Sequence, residues 1–229
     1  GEAVTTREQW EKIRRPELLR TFLEKEYGVR PVERPADLKF EQLGADEEVY
    51  GGKAVKKVVR GTYSGPGGTA SFTFAAWIPK SGKPVPAFVR VSPRPAETAA
   101  DLDGPRPVYY LPAEYITSRG YAALASCDYD FTPDFHMFPD VPTSGVFQAY
   151  GPKSMKARRP DEWGILSAWA WGASRIMDWI ETQPGIDAKH VGVVGLSRNG
   201  KTALLAGVTD ERFAMAVSCC SGCGGAKLN

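Results

Sequence analysis

The chain has 229 residues, 42% of them hydrophobic, enough for one sizeable core and at most two small domains. Its 29 Lys and Arg nearly balance 27 Asp and Glu, and the formal charge of +2 argues against a nucleic-acid footprint. No run approaches the roughly 18 apolar residues that a membrane helix requires, and the polar start GEAVTTREQW carries no signal-peptide pattern.

The opening TREQWEKIRRPELLRTFLEKEYG predicts a helix interrupted near Pro16, with Trp10, Ile13, Leu18, Leu19, Phe22 and Leu23 at roughly helical spacing and Gly28 as its stop. The basic clusters here and in KARRP are broken by acids and prolines, and read as solvated faces. KAVKKVVRGTYSG and TASFTFAAWIP flank the turn SGPGG, the pattern of a hairpin. KPVPAFVRVS is the next strand. GYAALASCDYD follows, and its unbroken apolar run predicts burial on both faces.

A long loop, FTPDFHMFPDVPTSGVFQAYGPKSMKARRP, comes next, and loops of this length commonly carry function. Asp128, Asp130, Asp134 and Asp140 crowd its start, in the role of turn formers first and pocket rim second. Pro160 and Asp161 then begin the helix DEWGILSAWAWGASRIMDWIETQ, ended by Pro184-Gly185. Leu166, Trp169, Ala173, Ile176 and Ile180 fall on one face of it. Its tryptophans, Trp163, Trp169, Trp171 and Trp179, read as core. Strand HVGVVG, helix RNGKTALLAGVTD and strand RFAMAVSCC complete the pattern. Early antiparallel strands leading into alternating β and α predict one α/β domain over 1–229, with a mostly parallel sheet and helices on both faces. SGCGGAKLN closes no fold, so the sheet is expected to be cut short after the helix that follows HVGVVG.

The segment GLSRNGKT, residues 195–202, supports two chemistries. It matches the phosphate-loop pattern G-x-x-x-x-G-K-[ST], and it also sets Ser197 on a strand-to-helix turn where a hydrolase holds its nucleophile. A phosphate loop needs an acidic residue at the end of another strand to hold magnesium. Here 27 residues follow Thr202, and the next strand ends in Ser and Cys. The serine reading uses every position. Gly195 supplies the small residue upstream, while Asn199 stands where the pattern G-x-S-x-G has glycine, a departure that Asn tolerates better than most residues. The N–H and guanidinium of Arg198 stand where an oxyanion forms at a helix N-terminus. Lys201, one turn from Ser197, is placed to bind a polar or acidic substrate group.

These residues resemble one family. GLSRNGK is similar to the G-x-S-R-x-G-K signature of the glucuronoyl esterases, the fifteenth family of carbohydrate esterases. TDERFAMAVSCCSGCGGAKL, EWGILSAWAWGASRIMDWIE and SRGYAALASCDYDFTPD resemble the family's neighbouring segments, and RRPELLRTFLEKEYG matches in style. The resemblance implies an α/β-hydrolase fold and a serine esterase. It would cleave the ester between 4-O-methyl-glucuronic acid of xylan and lignin alcohols through an acyl-enzyme on Ser197. It implies Arg198 at the oxyanion, Lys201 on the uronate ring, no metal or organic cofactor, and a secreted or periplasmic location. The expected partner is a glucuronoxylan or lignin-carbohydrate ester, with neither nucleic acid nor membrane involved.

The family's acid and histidine follow its serine, whereas both histidines here precede Ser197. They are therefore expected beyond residue 229, and that C-terminal part of the domain is itself an expected partner. His190 begins the strand that ends at Ser197, well over about 15 Å away by strand rise, which excludes it as the base. His136, on the loop, is the better placed of the two. The segment PRPAETAA after the AFVRVS strand lacks the glycine-rich oxyanion stretch expected there. Cys127, Cys219, Cys220 and Cys223 read as buried thiols or a disulfide. Three other functions remain open: an acetyl or other carboxylic ester hydrolase, a non-catalytic carbohydrate binder, and a nucleotide-binding protein.

Overall fold

The computed structural model describes residues 3–96, 111–134, 144–151 and 158–227. Its centre is a sheet whose longest pieces are the hairpin strands β3 (Ala54–Gly65) and β4 (Gly68–Pro79). They pair antiparallel from Ala54 opposite Pro79 to Gly65 opposite Gly68, as the SGPGG turn predicts. Two short strands that the sequence pattern does not reveal, β1 (Lys39–Gln42) and β2 (Glu47–Val49), also pair with β3. Then come β5 (Val85–Ser92), β6 (Ala122–Cys127), β7 (Ile186–Leu196) and β8 (Phe213–Cys219). The order is β1-β3-β4-β6-β5-β7-β8, with β2 off the path on β3.

Pairing is parallel across β6, β5, β7 and β8 and antiparallel on the β4 side, so the sheet is mixed. The parallel half follows from the β-α alternation in the sequence and the antiparallel half from its hairpin. Because the parallel strands share one direction, β5, β6 and β7 end together, at Ser92, Cys127 and Leu196. In open α/β sheets ligands bind at that edge.

Side-chain alternation decides what lies on each face. Phe72, Phe74 and Ala76 of β4 point to one side and Ala75 and Trp77 to the other, all buried. The first face packs under helix α6 (Ile165–Ile180), with Phe74 against Trp179 and Tyr63 against Trp171, ring centroids 5.1 Å apart in both pairs. Helix α7 (Arg198–Thr209) adds Ala203, Leu205 and Ala206 to the same core. On the second face, Ala75, Trp77, Ala123 and Ala125 pack with Leu111 and Ala113, the latter on the short helix α3 (Ala113–Ser118). Helices thus lie on both faces.

Three local expectations are corrected. Helix α6 starts at Ile165 with Gly164 as its cap, because residue 162 is held in a bridge to Val29. It is buried nearly all round instead of along one stripe, since α7 packs along its flank on the same face of the sheet, while Arg30 and Arg34 of the N-terminal segment reach its Ser167 and Asp178. The N-terminal segment stays helical through Pro16: α1 (Arg7–Gln9), a π-helical turn over Trp10–Arg14, α2 (Arg15–Phe22) and a second π turn to Tyr27. Pro16 falls at the start of α2, directly after the π turn. Trp10, Ile13 and Phe22 of this segment are exposed. The predicted strand GYAALASCDYD ends early, at Cys127, and Asp128–Phe131 forms the short helix α4; within the predicted loop, Val146–Tyr150 forms α5. His136 and Asp140 lie outside the described residues. No helix among the described residues is long and apolar enough to cross a membrane.

A buried ionic knot ties α6 to the segments around it. Asp178 accepts from Arg175 Nε at 2.7 Å and from Arg212 Nη1 at 2.8 Å, and pairs with Arg34 Nε at 3.4 Å. Removing Asp178 strands the buried Arg175 guanidinium away from water, while Arg34 and Arg212 keep access to solvent or to other carboxylates. Asp178→Ala should therefore cost about 3–5 kcal/mol in urea unfolding. A loss below about 1 kcal/mol would contradict this account of the knot.

Candidate active site

Strand β7 delivers Ser197 to the binding edge of the sheet. Its apolar residues Val191 and Val193 are buried under α6 and α7, so the strand is fixed and the residue after Leu196 must turn sharply into α7. Ser197 takes φ 58° and ψ −123°, outside the ordinary regions for a side-chain-bearing residue. Gly195 permits this turn, since a Cβ there would collide with the carbonyl of Asn199. Strain of this kind at a serine between strand and helix is what a nucleophile turn shows.

The backbone hydrogen bonds separate the two chemistries of GLSRNGKT. Ser197 N–H donates to Cys219 O at 2.8 Å, and the N–H groups of Gly200 and Lys201 donate to Ser197 O at 2.9 and 3.2 Å. A phosphate loop holds its ligand with such N–H groups, and here three of them are already engaged within the protein.

A cavity of about 440 Å³ opens at this edge. It is walled by Arg90 and Ser92 at the end of β5 and Pro93 just after it, by Asp128, Tyr129 and Asp134 after β6, by Trp169 of α6, and by Leu196 through Asn199 of the turn. Ser197 and Arg198 therefore share one wall, as the sequence predicts. Lys201 is half-buried one helical turn further on and stands outside that wall. His190 is exposed, pairs with Asp187 at 2.7 Å, and lines a separate depression away from the Ser197 cavity; it does not begin the strand as expected, because β7 starts earlier, at Ile186.

The aspartates do more than form turns. Asp134 is buried and forms an ion pair with the Arg198 guanidinium, fixing that cation beside the serine. Asp128 is buried too and accepts from Asn199 Nδ2 at 2.9 Å. Burial pushes its pKa up to about 6, against the opposing pull of the Asn199 hydrogen bond. Asp130 instead accepts from the Thr73 backbone N–H at 2.8 Å, a bracing role. Trp169 lines the cavity with its Nε1–H bonded to Thr132 O at 3.0 Å, so its ring is fixed in the wall. Cys127 is the buried thiol, whereas Cys219, Cys220 and Cys223 are free and exposed. The expectation of buried or bridged cysteines does not hold for these three, which lie at the end of β8, at the sheet's edge among the described residues, and in the loop after it.

The family described as "Glucuronyl esterase, fungi" matches residues 157–228. A carbohydrate esterase from an unknown prokaryotic organism is 31% identical over 256 residues, covering 100% of this chain and 58% of that protein. The 4-O-methyl-glucuronoyl methylesterase of Schizophyllum commune is 33% identical over 233 residues, 98% of this chain and 48% of that one. The solved glucuronoyl esterase from Solibacter usitatus superposes with a TM-score of 0.85 at 30% identity, covering 99% of this chain and 62% of that one. The chain thus spans about half to two-thirds of the length of these proteins. The resemblance to glucuronoyl esterases, and with it the α/β-hydrolase fold, holds along the whole chain.

Proposed function

From a chain that shares sequence and fold with the glucuronoyl esterases from end to end, we propose a serine esterase acting on esters of 4-O-methyl-glucuronic acid, such as those joining xylan to lignin alcohols. The observation that carries the reading is Ser197, held at φ 58° between β7 and α7 on the wall of a cavity it shares with Arg198. Its hydroxyl oxygen attacks the ester carbonyl as its proton passes to a general base. The alcohol leaves with a proton, and water then releases the uronate from the acyl-enzyme. The base is a histidine outside the described residues, and the acid that orients it comes from there as well; both are proposed to lie beyond residue 229.

The developing oxyanion meets the N-terminus of α7. The first-turn N–H of Arg198 lacks a partner one turn back, and the guanidinium adds positive charge that Asp134 keeps in place. Lys201, one turn along the same helix and outside the cavity wall, is assigned to the part of the uronate that extends beyond that wall. No metal or organic cofactor is needed for this chemistry. A secreted or periplasmic location fits a substrate in plant cell walls.

The test is substrate preference. The longest native polypeptide carrying this chain should hydrolyse a benzyl ester of glucuronic acid at a kcat/KM at least about tenfold above that for benzyl acetate, a margin worth about 1.4 kcal/mol of uronate recognition. Equal rates would favour the general carboxylic esterase reading. Thermal stabilisation by ATP with no ester turnover would favour nucleotide binding, and binding of glucuronoxylan without turnover would leave a carbohydrate binder.

A further inference from the structure

Beneath the serine turn lies a pair of planar groups that is incomplete as drawn by its single hydrogen bond. Asp128 follows the end of β6, Asn199 sits in the first turn of α7, and their exposures are 2% and 8%. Asn199 Nδ2 donates to Asp128 Oδ2 at 2.9 Å. The other two oxygens, Asp128 Oδ1 and Asn199 Oδ1, are both buried and both lack a hydrogen-bond partner. An orphaned buried acceptor is costly, and two of them on one bonded pair call for an explanation.

A carboxyl and a primary amide are forks of the same size, so when the N–H on the amide oxygen's own side makes the bond, the two second oxygens face each other. As two bare acceptors they repel. With one proton on Asp128 Oδ1, that oxygen donates to Asn199 Oδ1, and a single proton satisfies both orphans. We propose that Asp128 holds this proton at mildly acidic pH and closes a carboxylic acid–amide ring with Asn199, making Asp128 a positioning residue for the turn that carries Ser197.

The surroundings fit a carboxyl poised between its two states. Around it stand Arg198 of α7, which favours the carboxylate, and Asp134, which disfavours it. Tyr129, next in the chain, donates its backbone N–H to the Asp128 carboxyl and favours the carboxylate, an opposing pull that burial outweighs. Arg90 and Ser92 of β5 and Trp169 of α6 complete the cavity wall. Burial raises the folded pKa to about 6, above the value near 3.9 of an unfolded aspartate. The stability that the neutral ring contributes is therefore fully present below about pH 4 and is lost as pH rises through about 6. The ring itself does not depend on what Ser197 does; the positioning role rests on the esterase reading.

Asp128→Asn replaces the proton-bearing oxygen with an N–H donor that keeps its hydrogen at every pH. The urea midpoint of the wild type should fall relative to Asp128→Asn as pH rises from about 4 to about 7, while below about 4 the two run parallel. A constant difference across that range would overturn the ring. If either protein fails to unfold reversibly, isotope-edited infrared spectra should show at pH 5 a protonated carboxyl band that Asp128→Asn lacks, and its absence would overturn the ring equally. For positioning, Asp128→Ala should lower kcat at least about tenfold at unchanged KM, with Asp128→Asn restoring most of it. An equal effect on KM would overturn that role. A wild type without ester turnover would instead bring down the esterase reading and leave the ring standing.

Discussion

Replacing Ser197 with alanine should lower kcat/KM on a glucuronate ester by at least about a thousandfold while leaving the fold intact. The magnitude follows from the covalent route. Without the attacking oxygen, only oxyanion stabilisation and binding remain, and in serine hydrolases that residue of activity is about three to six orders of magnitude below the intact enzyme. The fold should survive because the Ser197 side chain makes no cap hydrogen bond on α7, and its backbone bonds to Cys219, Gly200 and Lys201 are unchanged by the substitution. Steady-state kinetics together with a urea curve check both halves. A variant that keeps more than about a tenth of wild-type activity would place the nucleophile elsewhere.

The second large effect is structural. Gly195→Ala puts a Cβ into the backbone of Asn199 and against the N–H of Gly200. Neither is a side chain that can swing aside, so the turn must open or the start of α7 must shift. Gly195 also pairs with Ser218 of β8, which blocks relief in the other direction. The substitution should cost about 3 kcal/mol or more and remove ester hydrolysis, since Ser197 loses the geometry that aims its hydroxyl. Asn199 falls away from Asp128 in the same movement. Circular dichroism during urea unfolding reads the stability, and a midpoint equal to the wild type would show that the turn has slack that this packing denies.

Much of this molecule is legible in its sequence because the relevant interactions are local. Alternating apolar residues around SGPGG specify a hairpin, and the apolar run 191–194 followed by Gly195, Ser197 and an apolar helix pattern specifies the strand, turn and helix of the site. The exclusion of His190 likewise needs only the rise of a strand. What escapes is set by contacts across long stretches of chain. Nothing near Asp134 announces that it meets Arg198, 64 residues away, or that Asp128 meets Asn199, 71 residues away. The short polar strands β1 and β2 owe their existence to the β3 edge, so their own composition gives no signal.

Helix α6 shows a further limit. Its sequence carries an apolar stripe, but Ser174, Arg175 and Asp178 off that stripe are buried as well, because Arg212 and Arg34 arrive from elsewhere to pair with Asp178. Lys201 is the reverse case. A spacing of four residues puts it on the same side of α7 as Ser197, yet the axial rise of one turn carries it past the cavity wall.

The central claim is that Ser197 is an activated nucleophile in a uronate-binding cavity, and covalent labelling tests it most directly. The longest native polypeptide should be treated with a serine-directed phosphonate, digested, and its adduct located by mass spectrometry, with and without glucuronate or ATP present. The account predicts a single adduct on the peptide containing Ser197, formed more slowly in the presence of glucuronate and at an unchanged rate with ATP. An adduct on another serine, no adduct at all, or protection by ATP alone would contradict it.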